Sequence, residues 1–230
     1  MHTIAVILAG GSGRRFGADK PKQFLELEGQ TLLARSLSAF ERSPLIDETC
    51  LVLHPDWLEE GRREVERGGF QKVRHIVAGG AERYSSSVNA LACYPDGDGK
   101  ILFHDAVRPL VSGQVIARVV HALDAHAAVG VMVPCVDTIV VHEGGILQSV
   151  PVRSTLGCMQ TPQGFHLATI REAYRRALQD PAFASTDDCG VVHRYLPDVG
   201  IHLVEGEERN RKLTYKDDLP FFRLLLEQGE

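Results

Sequence analysis

Apolar residues along the chain follow two alternating patterns. Short continuous runs rich in β-branched residues predict strands at residues 3–9, 50–54, 73–77, 101–104 and 130–134. Helical periodicity predicts helices at residues 31–42, 56–67, 85–93, 112–128, 167–179 and 187–195. Helix 112–128 is the clearest, because Ser112 stands at its N-cap position and apolar residues recur at i, i+3, i+4 and i+7 from Ile116. Thr186 is placed to cap helix 187–195.

The alternation of strands and helices predicts an α/β fold. Strands followed by helices form crossover units, so we expect a mostly parallel sheet with helices on both faces. The apolar runs are continuous rather than alternating, which fits a sheet buried on both sides. With 230 residues, the chain is expected to form one domain over residues 1–230, the alternative being a large domain with a small appendage.

Residues 137–152 break the alternation and predict a β-hairpin arm within that domain. Two strand-like segments, 137–142 and 146–152, flank a turn that contains Gly144 and Gly145. A lone hairpin is marginally stable in water, so it is expected to pack against something, and a second subunit is the simplest partner. The alternative is a hairpin that folds back on its own domain as an antiparallel edge.

Composition and charge exclude several classes of protein. Apolar residues make up 44% and charged residues 24%, which excludes disordered, collagen-like and coiled-coil chains. The 30 acidic and 25 basic residues give a net charge of −5, so a broad cationic surface for nucleic acid is not expected, although a local phosphate pocket stays open. No apolar run approaches the length of a membrane-spanning helix, and no basic segment precedes the first strand, so neither membrane insertion nor a secretory signal is expected.

The cysteines indicate a reducing compartment, which here means the cytoplasm. They are five in number, scattered, and without a CxxC pair: Cys50, Cys93, Cys135, Cys158 and Cys189. This pattern fits neither a disulfide framework nor a zinc site. Each cysteine is therefore expected to be a small buried apolar residue.

A glycine-rich loop follows the first predicted strand, with the sequence LAGGSGRRFG at residues 8–17. Glycines let several backbone N–H groups approach one anion, and the carboxyl end of a strand is where open α/β sheets bind ligands. Arg14, Arg15, Lys20 and Lys22 add cations, which suits a triphosphate. The dinucleotide fingerprint is broken at Phe16, and GK[ST] is missing. The alternative is a flexible loop with solvated basic residues.

Further candidate residues follow later strands and open a helix. Asp105 ends an apolar strand, where it would face the ligand crevice and could help to hold Mg²⁺, and Arg108 could bind a phosphate as a bidentate donor. An Asp–Arg ion pair that shapes the loop is the alternative. Thr186 lies at a predicted helix N-terminus that is either an anion site or a simple cap. Covalent catalysis is not indicated, and His104 is interpreted as a hydrogen-bonded residue at the end of a strand rather than a general base.

Taken in order, these motifs resemble the IspD/TarI cytidylyltransferases over essentially the whole chain. The matching segments are residues 8–16, 21–23, 79–83, 104–109, 137–138, 153, 161–163, 186–188 and 212. The resemblance implies a Rossmann-like nucleotidyltransferase fold and a homodimer joined through the arm 137–152. It also implies the reaction of CTP with a polyol phosphate to give a CDP-polyol and pyrophosphate, with Mg²⁺.

The resemblance also implies which residues bind each substrate. The CTP site would comprise Ala9, Gly10, Gly11, Ser12, Gly13, Arg15, Lys22, Gly79, Gly80, Arg83, Ser86 and Asp105. The acceptor site would comprise Asp105, Arg108, Thr138, Arg153, Thr161, Thr186 and Lys212. Thr138 and Arg153 would reach from the arm into the neighbouring subunit's site. Arg15, Lys22 and Lys212 would be the catalytic cations, and Asp105 the metal ligand unless the CTP phosphates hold Mg²⁺ by themselves.

Sequence details leave the acceptor open between two branches of the family. Residues 106–109, Val140 and Cys189 favour D-ribitol 5-phosphate, which we expect as the acceptor. Leu156 and the wide occurrence of the other branch favour the alternative, 2-C-methyl-D-erythritol 4-phosphate of isoprenoid precursor biosynthesis. An NAD(P)-dependent oxidoreductase and a non-catalytic nucleotide-binding subunit remain alternatives from other classes.

Overall fold

The continuous apolar runs form the inner strands of a sheet that is covered on both faces. The structure is a computed structural model that describes residues 1–11, 20–95 and 97–227. Its strands are β1 (Thr3–Ala9), β2 (Glu26–Leu27), β3 (Gln30–Thr31), β4 (Glu48–Leu53), β5 (Val73–Ala78), β6 (Lys100–Asp105), β7 (Ala128–Pro134), β8 (Val141–Glu143), β9 (Ile146–Ser149), β10 (Gly157–His166) and β11 (Ile201–Glu205). Its α-helices are α1 (Leu32–Glu41), α2 (Leu58–Gly68), α3 (Arg83–Leu91), α4 (Gly113–Ala122), α5 (Leu167–Ala177), α6 (Asp188–Tyr195) and α7 (Leu219–Glu227).

Seven strands form the central sheet in the order β11-β7-β10-β6-β1-β4-β5. Strand β1 pairs in parallel with β4 and β6, and β7 pairs in parallel with β11. Strand β10 alone within this sheet is antiparallel, and it lies between β6 and β7. The prediction of a mostly parallel α/β sheet is confirmed. Strand β11, helix α7 and the short pair β2-β3 were not predicted from the sequence.

Two apolar layers hold the helices against the sheet. On one face Ala5 and Ile7 pack in a cluster with side chains of α1 and α4. On the other face Ile4 and Val6 pack in a cluster with side chains of α3, α5 and α6. Successive residues of β1 therefore alternate between two buried clusters, which explains why its sequence is continuously apolar.

The ends of two helices show which capping predictions hold. Ser112 caps α4 as predicted, because its Oγ accepts a hydrogen bond from the Val115 N–H at 3.2 Å. The prediction that Thr186 caps the next-to-last helix is wrong. Helix α6 begins at Asp188, so the N-cap position falls on Asp187, whose Oδ1 accepts from the Gly190 N–H at 2.8 Å.

The predicted hairpin forms, but its strands are shorter than expected. Gly144 and Gly145 have φ values of 58° and 81°, as a two-residue hairpin turn requires. Strands β8 and β9 form their own two-stranded sheet, and residues 137–140 are not part of a strand. The apolar side chains of Val141, Ile146 and Leu147 are 50%, 68% and 58% exposed, so within the described residues the arm does not bury an apolar face on its own domain.

The cysteines are free thiols in the described structure. Cys50, Cys135 and Cys189 are buried as expected, and Cys93 is half-buried. The expectation is wrong for Cys158, which is exposed because it lies near the start of β10, at the base of the arm. A search of the described helices finds none that is both long enough and apolar enough to span a lipid bilayer.

Candidate active site

A cleft of about 590 Å³ opens where β1, β4, β5 and β6 end. In the described residues its lining consists of Leu8, Ala9, Gly10, Gly11, Lys22, Gln23, His54, Gly80, Ala81, Glu82, Arg83, Ser86, Asp105, Val107, Lys212 and Thr214. The chain crosses from β1 to β4 on one side, and β6 lies on the other side, with Leu8 paired to Asp105. A change of direction of this kind leaves a crevice at the carboxyl ends of the strands, where open α/β sheets bind ligands.

Two glycine segments approach each other closely at one wall of the cleft. A Cβ atom added to Gly10 would lie 2.9 Å from the Ser86 Oγ, and one added to Gly79 would lie 2.7 Å from the same oxygen. The Gly80 N–H donates to that oxygen at 3.3 Å. The Ser86 hydroxyl therefore occupies the space that side chains would need, and it joins the loop after β1 to the loop after β5.

Lys22 and Gln23 connect the glycine-rich loop to the late segment of the chain. They follow Pro21 in a short 3₁₀ helix that spans Lys22–Phe24. The buried Gln23 amide donates to the Ala9 carbonyl at 2.8 Å and to the Gly11 carbonyl at 3.3 Å. The Lys22 Nζ donates to the Leu213 carbonyl at 3.1 Å, which brings Lys22 to the same side of the cleft as Lys212.

The Asp105 carboxylate is the electrostatic centre of the cleft. Its Oδ1 lies 3.3 Å from the Arg83 Nε, and its Oδ2 lies 2.8 Å from the Lys212 Nζ. Burial works against the charged form, but Arg83 and Lys212 more than offset it and hold the pKa of Asp105 below its usual value. Asp105 is therefore a carboxylate at neutral pH, and it orients two cations at the floor of the cleft.

A buried network behind Arg83 was missed by the sequence analysis. The Asp188 carboxylate is fully buried; its Oδ2 accepts from the Arg83 Nη1 at 2.7 Å, and its Oδ1 accepts from the Tyr174 hydroxyl at 2.6 Å. The Gln163 Oε1 accepts from the Asp188 N–H at 3.0 Å. Burial alone would lower the pKa of Arg83, but Asp188 and Asp105 raise it above its usual value. Arg83 is thus a fixed cation shared by two carboxylates.

The structure brings together many, but not all, of the predicted site residues. Nine line the cleft: Ala9, Gly10, Gly11, Lys22, Gly80, Arg83, Ser86, Asp105 and Lys212. Ser12, Gly13 and Arg15 lie outside the described residues. Gln23, His54, Glu82 and Thr214 also line the cleft and were not predicted as site residues. Gln23 directly follows Lys22 within the matching segment 21–23, so this segment contained a sequence signal for Gln23.

The remaining predicted residues lie outside the cleft lining. Gly79 lies behind Gly80 against Ser86. Arg108 donates to the Asn210 carbonyl at 2.8 Å, which ties the turn after β6 to the segment that carries Lys212. Thr161 is buried beside Asp105.

Three predicted acceptor residues lie at the surface of the described chain. Arg153 donates to the Thr138 hydroxyl at 3.1 Å at the base of the arm, where both side chains are exposed. Thr186 is exposed just before α6. Binding of the acceptor by these residues stays a prediction.

The donor set at the cleft fits Mg²⁺ only together with phosphate oxygens. The described residues contain no cluster of three or more His, Cys, Asp or Glu side chains that could hold a metal ion. Asp105 offers a carboxylate, and each of its oxygens keeps lone pairs beyond its ion pair. Mg²⁺ is commonly bound through one or two carboxylates and substrate phosphates, so Asp105 could supply the protein's share of such a site.

Comparison with known proteins gives the family. The family model described as "IspD: 2-C-methyl-D-erythritol 4-phosphate cytidylyltransferase" matches residues 3–228. The chain belongs to the IspD family. It is 46% identical over 235 residues to the 2-C-methyl-D-erythritol 4-phosphate cytidylyltransferase of Thermobifida fusca, with 99% of this chain and 94% of the relative covered. The predicted resemblance and enzyme class are confirmed: the protein is a nucleotidyltransferase, specifically a cytidylyltransferase of the IspD family.

Other IspD-family proteins extend the comparison. A crystal structure of 4-diphosphocytidyl-2C-methyl-D-erythritol synthase from Anaerococcus prevotii superposes with a TM-score of 0.87 at 28% identity, covering 98% of this chain and 96% of that one. This likeness confirms the Rossmann-like nucleotidyltransferase fold. The bifunctional ribulose 5-phosphate reductase/CDP-ribitol pyrophosphorylase of Haemophilus influenzae is 38% identical, covering 94% of this chain and 46% of that protein.

Proposed function

We propose that this IspD-family enzyme transfers CMP from CTP to 2-C-methyl-D-erythritol 4-phosphate and releases pyrophosphate, a step of isoprenoid precursor biosynthesis. The observation that carries the proposal is the 46% identity, over nearly the whole chain, to a relative with that acceptor in its name. The relative named for CDP-ribitol is less similar, at 38%. The proposal replaces ribitol 5-phosphate, which the sequence analysis favoured.

Two of the residues that favoured ribitol 5-phosphate, Val140 and Cys189, lie outside the described cleft. Val140 lies on the exposed arm, and Cys189 is 4% exposed with its thiol directed to the Val129 carbonyl. Neither residue lines the described cleft. Cys189 is therefore a buried residue that does not contact the described cleft, and Val140 could bear on the acceptor only through the arm.

The chemistry requires positioning and positive charge rather than a strong base. An oxygen of the acceptor phosphate attacks the α-phosphorus of CTP, a new P–O bond forms, and the bond from the α-phosphorus to the bridging oxygen of the leaving pyrophosphate breaks. A phosphate monoester is already largely dianionic at neutral pH, so the nucleophile needs no deprotonation. Lys22 and Lys212 lie at the cleft where charge must be stabilised, and Arg15 of the glycine-rich loop is proposed to join them.

Different parts of the cleft wall are proposed to bind the cytidine and the triphosphate of CTP. The first turn of α3 starts at Arg83, and the N-terminal N–H groups of a helix favour anions. Gly80 and Ser86 are proposed to lie beside the cytidine, and Gly11 is proposed to lie beside the triphosphate. When Mg²⁺ is bound, it neutralises charge on the phosphates, and Asp105 is the residue proposed to hold it.

The acceptor assignment predicts a clear preference in a pyrophosphate-release assay. With CTP and Mg²⁺, we expect kcat/KM for 2-C-methyl-D-erythritol 4-phosphate to exceed that for D-ribitol 5-phosphate by at least about tenfold, a difference of roughly 1.4 kcal/mol in transition-state binding. The same enzyme preparation, tested with each acceptor separately, serves as its own control. Equal rates or a preference for the pentitol phosphate would contradict the assignment.

We also infer that residues 137–152 form an arm that joins two copies of the chain, each copy being one domain over residues 1–230. The support is the row of exposed apolar side chains on a hairpin that would be marginal alone. Thr138 and Arg153, already hydrogen bonded to each other, are then proposed to face the partner's acceptor site.

The arm can be tested by shortening it and by adding charge to it. Deletion of residues 141–149 is expected to give a monomer in sedimentation with impaired use of the acceptor. Leu147→Asp, a single change at a 58% exposed site, is also expected to weaken the dimer, because it places a charge in the proposed apolar contact. Leu178→Asp, at a 55% exposed site after α5, is the matched control and should not change the mass. An unchanged dimer after the deletion would refute the placement.

A further inference from the structure

The imidazole of His104 is buried directly beneath the turn that follows β6. It is fully buried, and it lies against the Phe40 ring with 5.1 Å between the ring centroids. We propose that His104 is a positioning residue: with its proton on Nε2, the imidazole fixes the turn 105–108 from both ends and so aims Asp105 at its two cations. The kinetic part of this inference rests on the proposed function; the structural part does not.

One contact determines which ring nitrogen carries the proton. The His104 Nε2 lies 3.1 Å from the Arg108 carbonyl oxygen. A carbonyl oxygen can only accept a hydrogen bond, so Nε2 must be the protonated nitrogen. The other ring nitrogen, Nδ1, faces the Thr161 hydroxyl, which can either donate or accept a hydrogen bond.

A second contact carries the chain of hydrogen bonds to the other end of the turn. The His104 Nδ1 lies 3.1 Å from the Thr161 Oγ1, and the Asp105 N–H donates to that same oxygen at 3.1 Å. The hydroxyl accepts from the Asp105 N–H and directs its own proton to Nδ1. In this arrangement the His104 Nε2–H, the Asp105 N–H and the Thr161 hydroxyl each donate to an acceptor. Thr161 lies on β10, so the chain of bonds also joins the turn to the neighbouring strand.

The result is a turn held at both ends by one ring. The Asp105 N–H is fixed through Thr161, the Arg108 carbonyl is fixed by Nε2, and the Arg108 N–H donates to the Asp105 carbonyl at 3.0 Å. The side chains at the two ends, Asp105 and Arg108, are also the charged groups that face the ring. The Asp105 carboxylate contacts both Arg83 and Lys212. A shift of the turn would therefore move this carboxylate away from both cations.

The first experiment reads the proton positions in the wild-type enzyme without any substrate. Long-range ¹H–¹⁵N correlation spectra distinguish the two neutral forms of imidazole and the charged form, and correlation to the backbone assigns His104 among the ten histidines, so no variant has to fold. We expect a protonated Nε2 and an unprotonated Nδ1 at pH 7. A proton on Nδ1, or a charged ring, would overturn the inference even if the acceptor assay succeeds.

The second experiment separates positioning from folding. His104→Phe keeps a ring but loses both hydrogen bonds, whereas His104→Asn keeps an acceptor near the Nδ1 position. We expect kcat to fall about 10²-fold for the phenylalanine variant, the effect of a misplacement of about 1 Å, with partial rescue in the asparagine variant. His166→Asn is the control, because His166 bonds the Leu123 carbonyl at 2.8 Å away from the cleft.

The variants also distinguish this inference from the proposed function. A folded phenylalanine variant with unchanged kcat and KM would overturn the positioning role while leaving the transferase assignment intact. If wild-type enzyme shows no pyrophosphate release with any acceptor, the proposed function fails, and the substrate-free spectra still decide the state of His104. If the phenylalanine variant does not fold, the asparagine variant and the spectra carry the test.

Discussion

Replacing Lys22 with alanine is expected to lower kcat/KM for CTP by about 10²–10³-fold, the usual effect of removing one preorganised donor from a transition state. Lys22 lines the cleft, and its Nζ is held by the Leu213 carbonyl at 3.1 Å, so its charge is in place before the nucleotide binds. A fixed ammonium stabilises charge that builds on the leaving pyrophosphate without any reorganisation. Initial rates at varied CTP concentration measure the loss.

Lys20→Ala is the matched control for this prediction. Lys20 is two residues away, has the same charge, is exposed, and does not line the described cleft. We expect its kcat/KM to stay within about threefold of wild type, since an exposed charge is largely screened. Equal losses in the two variants would mean that general electrostatic attraction, rather than the position of Lys22, accounts for the effect.

Replacing Asp188 with alanine is expected to destabilise the protein by about 3–5 kcal/mol, the usual result of removing one partner of a buried ion pair. Asp188 is fully buried, and its loss removes the shorter of the two ion pairs of the Arg83 guanidinium, at 2.7 Å, and leaves the Tyr174 hydroxyl without this acceptor. Urea unfolding, followed by circular dichroism, measures the difference. Activity should also fall, because Arg83 helps to orient Asp105.

Glu172→Ala is the control for the buried pair. Glu172 forms ion pairs with Arg175 and Arg176 on the exposed side of α5, where water solvates both partners. We expect its unfolding curve to overlay that of wild type. If Asp188→Ala unfolds at the same urea concentration as this control, the buried network does not stabilise the protein as the structure indicates.

The predictable parts of the fold were those with a strong local signal. The apolar strands, the cap at Ser112 and the Gly144-Gly145 turn each follow from residues close together in the chain. Strand β10 has a weak local signal, because it contains a proline and the buried polar residues Gln160, Thr161 and Gln163. Their partners lie on distant segments, so a local pattern cannot show that these polar groups are satisfied.

The residues of the candidate site also differ in whether a local sequence pattern could predict them. Loop residues such as Gly10 and Lys22 could be found from motifs, because the glycines and cations of a phosphate-binding loop lie within a short stretch of chain. The pairing of Arg83 with Asp188 joins residues 105 positions apart, and the contact of His104 with Thr161 joins residues 57 apart. Such contacts depend on the order of strands in the sheet, which composition and periodicity leave open.

The place of β10 in the sheet has a consequence for how the chain folds during synthesis. Strand β7 has β10 and β11 as its neighbours, and β10 is also what joins it to β6. When the ribosome has produced residues up to Pro134, β7 therefore has no strand to pair with, whereas β1, β4, β5 and β6 already have one another. Because β10 ends at His166, we expect the nascent chain to carry an unpaired apolar strand, β7, while the hairpin is being made.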